Sequence, residues 1–163
     1  MMRILKSPLL RVPLVLTVTG ILCRVLTYII SFIHVRIQMA KGPNPVTGAY
    51  EIGSGNVTVI IAVIAFLLFW IAGWRYLQHM TFRQIFISAS IMVVWYTLLL
   101  TVEQVSQAMG SYPMWVYTLY ATHESCGWVD QLLVRIFDQV SIPVVIPGLF
   151  TPYLYLIFGR RTT

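Results

Sequence analysis

Charged residues are scarce in this chain of 163 residues, where Asp, Glu, Lys and Arg together make up only 10%. Soluble domains have about 25% charged residues, so the surface of a soluble domain could not be covered here. No polar stretch is long enough to form a separate soluble domain. Apolar residues reach 58% and aromatic residues 13%, which excludes intrinsic disorder. The composition predicts one integral membrane domain over residues 1–163.

The sequence also lacks motifs that are typical of a known catalytic or binding function. The chain has no Cys-x-x-Cys, no phosphate-binding loop, no Gly-x-Ser-x-Gly and no dinucleotide fingerprint. Its two cysteines, Cys23 and Cys126, form no recognised metal-ligand spacing, so we expect no metal site. The net charge is +6, but the basic residues mostly flank apolar runs, where they set topology and meet anionic lipid. Membrane lipids, and not nucleic acid, are therefore the expected partners.

Four apolar runs are long enough to cross a bilayer, at about 12–36, 57–78, 84–107 and 129–158. Each has the roughly 20 residues that a membrane helix needs, and closed helices satisfy their backbone groups in lipid. The sequence predicts an all-α integral membrane protein built as a four-transmembrane-helix bundle. Proline interrupts the fourth run three times, which predicts a broken helix: Pro143, Pro147 and Pro152.

Basic residues predict the orientation of the bundle. Most of them fall on one side if the chain crosses four times: Arg3, Lys6, Arg11, Arg75, Arg83, Arg160 and Arg161. Because cytoplasmic segments are enriched in Lys and Arg, we expect both termini in the cytoplasm and the protein in the plasma membrane. The second outer loop, about 108–128, is rich in Tyr and Trp, which favour the membrane interface. We expect that interfacial segment to lie flat on the membrane or to dip into it.

A polar or small stripe follows one face of the first helix, at alternating spacings of three and four. Its members are Thr17, Gly20, Arg24, Thr27, Ser31, His34 and Gln38. Because Arg24 is near the middle of the helix, it would cost at least about 2.5–3.5 kcal/mol if it faced lipid. The stripe is therefore predicted to face protein or water, and Arg24 is predicted to have an acidic partner.

Depth along each helix suggests two ion pairs in the outer half of the bundle. Counting at 1.5 Å per residue places Glu103 level with Arg135, and makes Asp138 the nearest deep acid to Arg24. The predicted pairs are Glu103–Arg135 and Arg24–Asp138. Histidine and carboxylate groups also collect on the outer side, and the predicted ligand-binding residues are Arg24, Glu103, Arg135, Asp138, His34 and His123.

Three functions compete on these observations. The first is binding or transport of a polar or anionic small molecule, or of a lipid head group, in an outer-half cavity lined by buried charges. Four helices are few for a complete carrier, so this function would need a homo-oligomer or a partner membrane subunit. The second is a membrane enzyme acting on a lipid-like substrate at the outer face. The third is a non-catalytic subunit or assembly factor of a larger membrane complex. The first is the leading hypothesis.

Overall fold

Three long helices dominate the protein. The computed structural model describes residues 7–44, 48–50, 53, 55–111, 114–137 and 142–160, and these residues form helices and turns with no β-strand. The long helices are α1 (Arg11–Ala40), α2 (Gly55–Leu77) and α3 (Phe82–Ala108). Each is long and apolar enough to cross a membrane. The prediction of an all-helical chain is confirmed for the described residues, and the first three predicted membrane helices are present as long apolar helices.

Shorter helices make up the rest of the chain. They are α4 (Met114–Leu119), a 3₁₀ helix that we call the inner turn (Tyr120–Cys126), α5 (Gly127–Phe137), α6 (Ile142–Leu149) and a C-terminal 3₁₀ helix (Thr151–Phe158). The structure does not show one long helix over 129–158. Asp138 and residues 139–141 lie outside the described residues. Pro147 lies inside α6, and that helix stops two residues later, where the backbone N–H of Phe150 donates to the carbonyl of Pro147 over 3.1 Å.

The two ends of the long helices define two faces of the bundle. At the N-terminal face, α1 begins, α2 ends and α3 begins, and the last described residue, Arg160, is fixed there as well. Its backbone N–H donates to Met80 over 2.9 Å, and its carbonyl accepts from the backbone N–H of Phe82 over 3.1 Å. Thr81 and Gln84 close the start of α3 with a capping box, which satisfies two otherwise free backbone donors. The opposite end, where α1 and α3 end and α2 begins, is the loop face.

The segment after α3 enters the bundle between the long helices. The hydroxyl of Tyr96, near the middle of α3, donates to the carbonyl of Thr122 in the inner turn over 2.9 Å. Gly20 of α1 lies against the backbone of Ala121 and Thr122, so closely that a methyl group at Gly20 would overlap them. The second loop therefore dips into the bundle, which was one of its two predicted arrangements, and does not lie across the loop face.

Helix α5 then returns toward the loop face. Trp128, at its start, packs against the rings of Phe66 and Phe69 near the middle of α2, with centroid distances of 5.1 and 6.1 Å. Arg135, two turns later, lies beside Thr58 near the start of α2. We call α4, the inner turn and α5 the re-entrant hairpin. Irregular backbone at this depth is tolerated because it is buried in protein.

The apolar core lies toward the N-terminal face. Buried residues of α1 run from Val12 only as far as Cys23. The rings of Phe69 in α2 and Tyr155 in the C-terminal 3₁₀ helix stack at 4.0 Å in the middle of this core. Helices in lipid associate through close packing more than through the hydrophobic effect, so such contacts hold the C-terminal segment against α2.

The predicted polar stripe of α1 faces the protein. None of its seven members is fully exposed, whereas apolar residues between them are open to the surroundings, such as Tyr28 at 68% and Phe32 at 61%. Gly20 and Arg24 contact the re-entrant hairpin, and His34 lies 2.9 Å from the carbonyl oxygen of Gly53 before α2. This prediction is confirmed, since the stripe is the face that packs against the rest of the chain.

Candidate functional site

Arg24 has an acidic partner as predicted, but that partner is Glu124 of the inner turn. The Nη2 and Nε atoms of Arg24 donate to Oε1 of Glu124 over 3.0 and 3.2 Å, and Nη1 donates to the carbonyl of Tyr117 over 2.9 Å. The two charged side chains are 25% and 32% exposed. The predicted partner, Asp138, lies outside the described residues. Glu124 reaches Arg24 because the inner turn that carries it lies inside the bundle.

Other polar contacts fix the inner turn beside this pair. The hydroxyls of Thr19 in α1 and Ser125 in the inner turn lie 3.2 Å apart, and both residues are buried. Cys23 and Cys126 are buried free thiols, so neither reacts readily with reagents in water. Together with Arg24–Glu124 and Tyr96–Thr122, the Thr19–Ser125 contact ties the hairpin to two long helices. These contacts hold the inner turn against α1 and α3.

His123 connects the hairpin to α6. Its Nε2 lies 3.2 Å from the carbonyl oxygen of Gly148, which can only accept, so Nε2 carries the proton. Nδ1 then faces Oδ2 of Asp130 at 3.6 Å. These two contacts form a polar junction between the inner turn, α5 and α6.

The predicted Glu103–Arg135 pair is wrong. Glu103 accepts a hydrogen bond from Nε2 of Gln107 over 3.1 Å. No ion pair joins it to Arg135 among the described residues. Similar depth did not bring the two side chains together, because α5 packs against α2 and carries Arg135 to that side of the bundle.

Arg135 instead lines a groove between α2 and α5, which we call the outer groove. It has a volume of about 270 Å³. Its walls are mostly apolar, and three polar side chains complete them: Thr58, Gln131 and Arg135. From Thr58 to Phe66 the groove follows α2 for about 12 Å at 1.5 Å per residue. It leads from a cation near the loop face to the aromatic rings of Phe66 and Trp128 near the middle of the bundle.

The structure scatters the predicted ligand-binding residues. Arg24 lies on α1 against the inner turn, and His123 belongs to that turn. Glu103 lies on α3, Arg135 lines the outer groove, and His34 lies on α1 near the start of α2. Asp138 lies outside the described residues. Within the described part of the chain, no three His, Cys, Asp or Glu side chains come close enough to hold a metal ion.

Comparison with protein-family models, with curated proteins and with solved structures finds no match.

Sequence reasoning missed two features of this region. Glu124 carried no local signal of burial, since its partner is 100 residues away in the chain. The outer groove had a weak signal that was not used. Gln131 and Arg135 are four residues apart, so they share the face of α5 that carries Trp128. Helix α2 offers small side chains opposite them, such as Ala62.

Proposed function

We propose that this protein binds a membrane phospholipid, with one acyl chain in the outer groove and the phosphate at Arg135. The observation that carries the proposal is the order of the groove's walls. A cation and an amide stand near the loop face, and apolar side chains continue from them toward the middle of the bundle. A phospholipid has the same order, with an anionic phosphate followed by a hydrocarbon chain. Guanidinium groups form strong charge-assisted hydrogen bonds with phosphate, and apolar walls match the chain.

Lipid binding accounts for the outer groove better than catalysis or transport does. Neither His123 nor Asp130 lines the outer groove, so the histidine and carboxylate that an enzyme would use are turned away from it. Arg24 does not line it either, so the groove and the central ion pair are separate features. The Arg24–Glu124 pair then has a positioning role, because it fixes the hairpin whose last helix forms one wall of the groove.

The expected result of removing the guanidinium is a loss of bound lipid. Arg135→Gln should weaken phospholipid binding about tenfold, because a charged hydrogen bond contributes about 1.5–3 kcal/mol and 1.4 kcal/mol is a factor of ten. Ala62→Trp, which fills the groove, should abolish binding there. Native mass spectrometry of the detergent-purified protein counts the retained phospholipids directly.

Two matched variants control for general effects of these substitutions. Arg83→Gln removes an exposed arginine at the N-terminal face, and Leu98→Trp places the same indole ring at an exposed position of α3. Neither residue lines the outer groove, so both variants should retain lipid as the unmodified protein does. Equal lipid retention in Arg135→Gln, Ala62→Trp and the two controls would contradict the proposal.

The proposal includes four crossings of the plasma membrane. Helix α6 and the C-terminal 3₁₀ helix follow one another from the hairpin to the N-terminal face. At about 1.5 and 2.0 Å per residue they extend for about 28 Å, close to the thickness of the hydrocarbon layer. With α1–α3 they would make a four-crossing bundle whose N-terminal face is cytoplasmic, since described basic residues concentrate there.

Cysteine labelling tests that orientation. Met109 is 80% exposed just after α3, and Met109→Cys should react with an impermeant thiol reagent in intact cells. His79→Cys, exposed between α2 and α3 at the opposite face, should react only after the membrane is permeabilised. The native thiols, Cys23 and Cys126, are buried and should give little background. The reverse labelling pattern would invert the orientation.

A further inference from the structure

The polar side chains that α5 contributes to the outer groove lie at two levels. Arg135 and Gln131 both line the groove and are four residues apart, so they share one face of the helix and are about 6 Å apart along its axis. Because α5 runs from Trp128 near the middle of the bundle toward the loop face, Gln131 is the deeper of the two. The groove therefore presents a guanidinium group first and a carboxamide one turn deeper.

The wall of α2 opposite Gln131 is apolar. Since α2 and α5 run in opposite directions, Thr58 stands at the loop-face end of this wall, and Ala62 lies one turn deeper at the level of Gln131. Val59 and Val63 complete the wall around Ala62. None of these three side chains can form a hydrogen bond, so α2 offers the Gln131 amide no side-chain partner inside the groove.

The Gln131 side chain is also exposed at the surface of the bundle. Among the described residues, none is hydrogen-bonded to it. Its counterpart Ala62 lies seven residues after the start of α2, which is about 10 Å along the helix, so the amide lies well below the loop face. An amide that meets hydrocarbon without a hydrogen-bond partner carries a large desolvation cost, and a ligand with an acceptor at this level would remove it.

A glycerophospholipid carries an acceptor at the corresponding position. Its ester carbonyls lie between the phosphate and the hydrocarbon, one glycerol unit deeper than the phosphate. A carbonyl oxygen accepts hydrogen bonds, and the amide nitrogen of glutamine donates two. With the phosphate at Arg135, the ester of the chain in the groove reaches the level of Gln131, and the hydrocarbon continues past Ala62 toward Phe66.

We propose that the outer groove selects ester-linked glycerophospholipids, and that Gln131 recognises the ester by donating a hydrogen bond from Nε2 to its carbonyl oxygen. This inference rests on the proposed function, because the phosphate at Arg135 sets the depth of the ester. An ether-linked lipid can have the same head group and the same chains, but it has no carbonyl. It therefore leaves the Gln131 amide without that partner, and it should bind more weakly.

Competition between matched diacyl and dialkyl phosphatidylcholines tests the inference. The two lipids share head group and chain length, and the full-length protein is purified in dodecyl maltoside, a detergent that has no ester. Native mass spectrometry then gives the ratio of the two bound lipids. The unmodified protein should prefer the diacyl form about fivefold, as expected for one neutral hydrogen bond of about 1 kcal/mol. Gln131→Leu should bind the two forms equally.

The matched control is Gln104→Leu, which makes the same substitution on α3 outside the outer groove. It should keep the preference of the unmodified protein, because it leaves the Gln131 amide in place. Equal binding of the two lipids by the unmodified protein would overturn the inference. A preference that survives in Gln131→Leu, or one that disappears equally in Gln104→Leu, would overturn it as well.

Failure of this inference can be told apart from failure of the proposed function. If Arg135→Gln and Ala62→Trp lose lipid but the unmodified protein shows no preference between the two forms, the groove binds phospholipid and does not recognise the ester. If Arg135→Gln and Ala62→Trp retain lipid fully whereas Gln131→Leu abolishes the preference, the ester contact stands, and the proposed position of the phosphate and chain fails.

Discussion

Arg24→Ala is expected to lower the free energy of unfolding by about 2–3 kcal/mol. The substitution removes the charged hydrogen bonds to Glu124, each of a kind that contributes about 1.5–3 kcal/mol, and leaves that carboxylate without its cation. Loss of a partner from a fully buried pair costs about 3–5 kcal/mol. The side chains here are 25% and 32% exposed, so the cost should lie below that range. Thermal or denaturant unfolding in detergent measures it.

The double-mutant cycle decides whether Arg24 and Glu124 act as a pair. Removing both charges should cost less than the sum of Arg24→Ala and Glu124→Ala, by at least about 1 kcal/mol, because the second substitution removes a group that the first has already stranded. A parallel cycle with Glu103→Ala is the control. Glu103 bonds to Gln107 and shares no hydrogen bond with Arg24, so those two effects should add. Additivity in the Arg24–Glu124 cycle would show that the pair does not hold the hairpin.

The same substitution has a consequence for the outer groove. If the pair fixes the hairpin that carries α5, Arg24→Ala should also reduce lipid retention, although Arg24 does not line the groove. Glu124→Ala should have the same effect. Retention that follows stability across these variants would identify both residues as positioning residues and not as contacts of the lipid.

Local patterns in the sequence predicted the long helices and one face of α1. The length of a membrane-spanning apolar run matches the thickness of the hydrocarbon layer, so the sequence predicted α1–α3. The stripe from Thr17 to Gln38 was found because small and polar residues at helical spacing are excluded from the lipid side. Both signals are contained within one helix and need no knowledge of its neighbours.

The features that the sequence did not predict depend on how distant segments of the chain pack together. The re-entrant hairpin consists of short helices, of which α5 is the longest at 11 residues. The length of such a short helix does not indicate how deep in the bundle it lies. The sequence predicted an acidic partner for Arg24, but that Glu124 reaches it depends on where the hairpin turns. Depth counting likewise aligned Glu103 with Arg135 without showing that α5 packs against α2.

Gly20 shows how tightly that hairpin is seated. Gly20→Ala is expected to destabilise the protein by about 1–3 kcal/mol, the usual cost of overpacking. An added Cβ would overlap the carbonyl oxygen of Ala121 and lie 2.8 Å from the carbonyl carbon of Thr122. Both are backbone atoms, so no side chain can rotate away, and α1 and the inner turn must separate. Separation would also lengthen the nearby Thr19–Ser125 and Arg24–Glu124 contacts.

The sign of this effect distinguishes it from ordinary helix propensity. Alanine is favoured over glycine within a helix by about 1 kcal/mol, so without the hairpin the same substitution in α1 would stabilise the protein. Gly127→Ala is the matched control, since nothing lies within 4 Å of its added Cβ and its φ is −59°. Gly127→Ala should leave the melting temperature unchanged or raise it, whereas Gly20→Ala should lower it. If Gly20→Ala were as stable as the unmodified protein, the inner turn could not lie against the middle of the bundle.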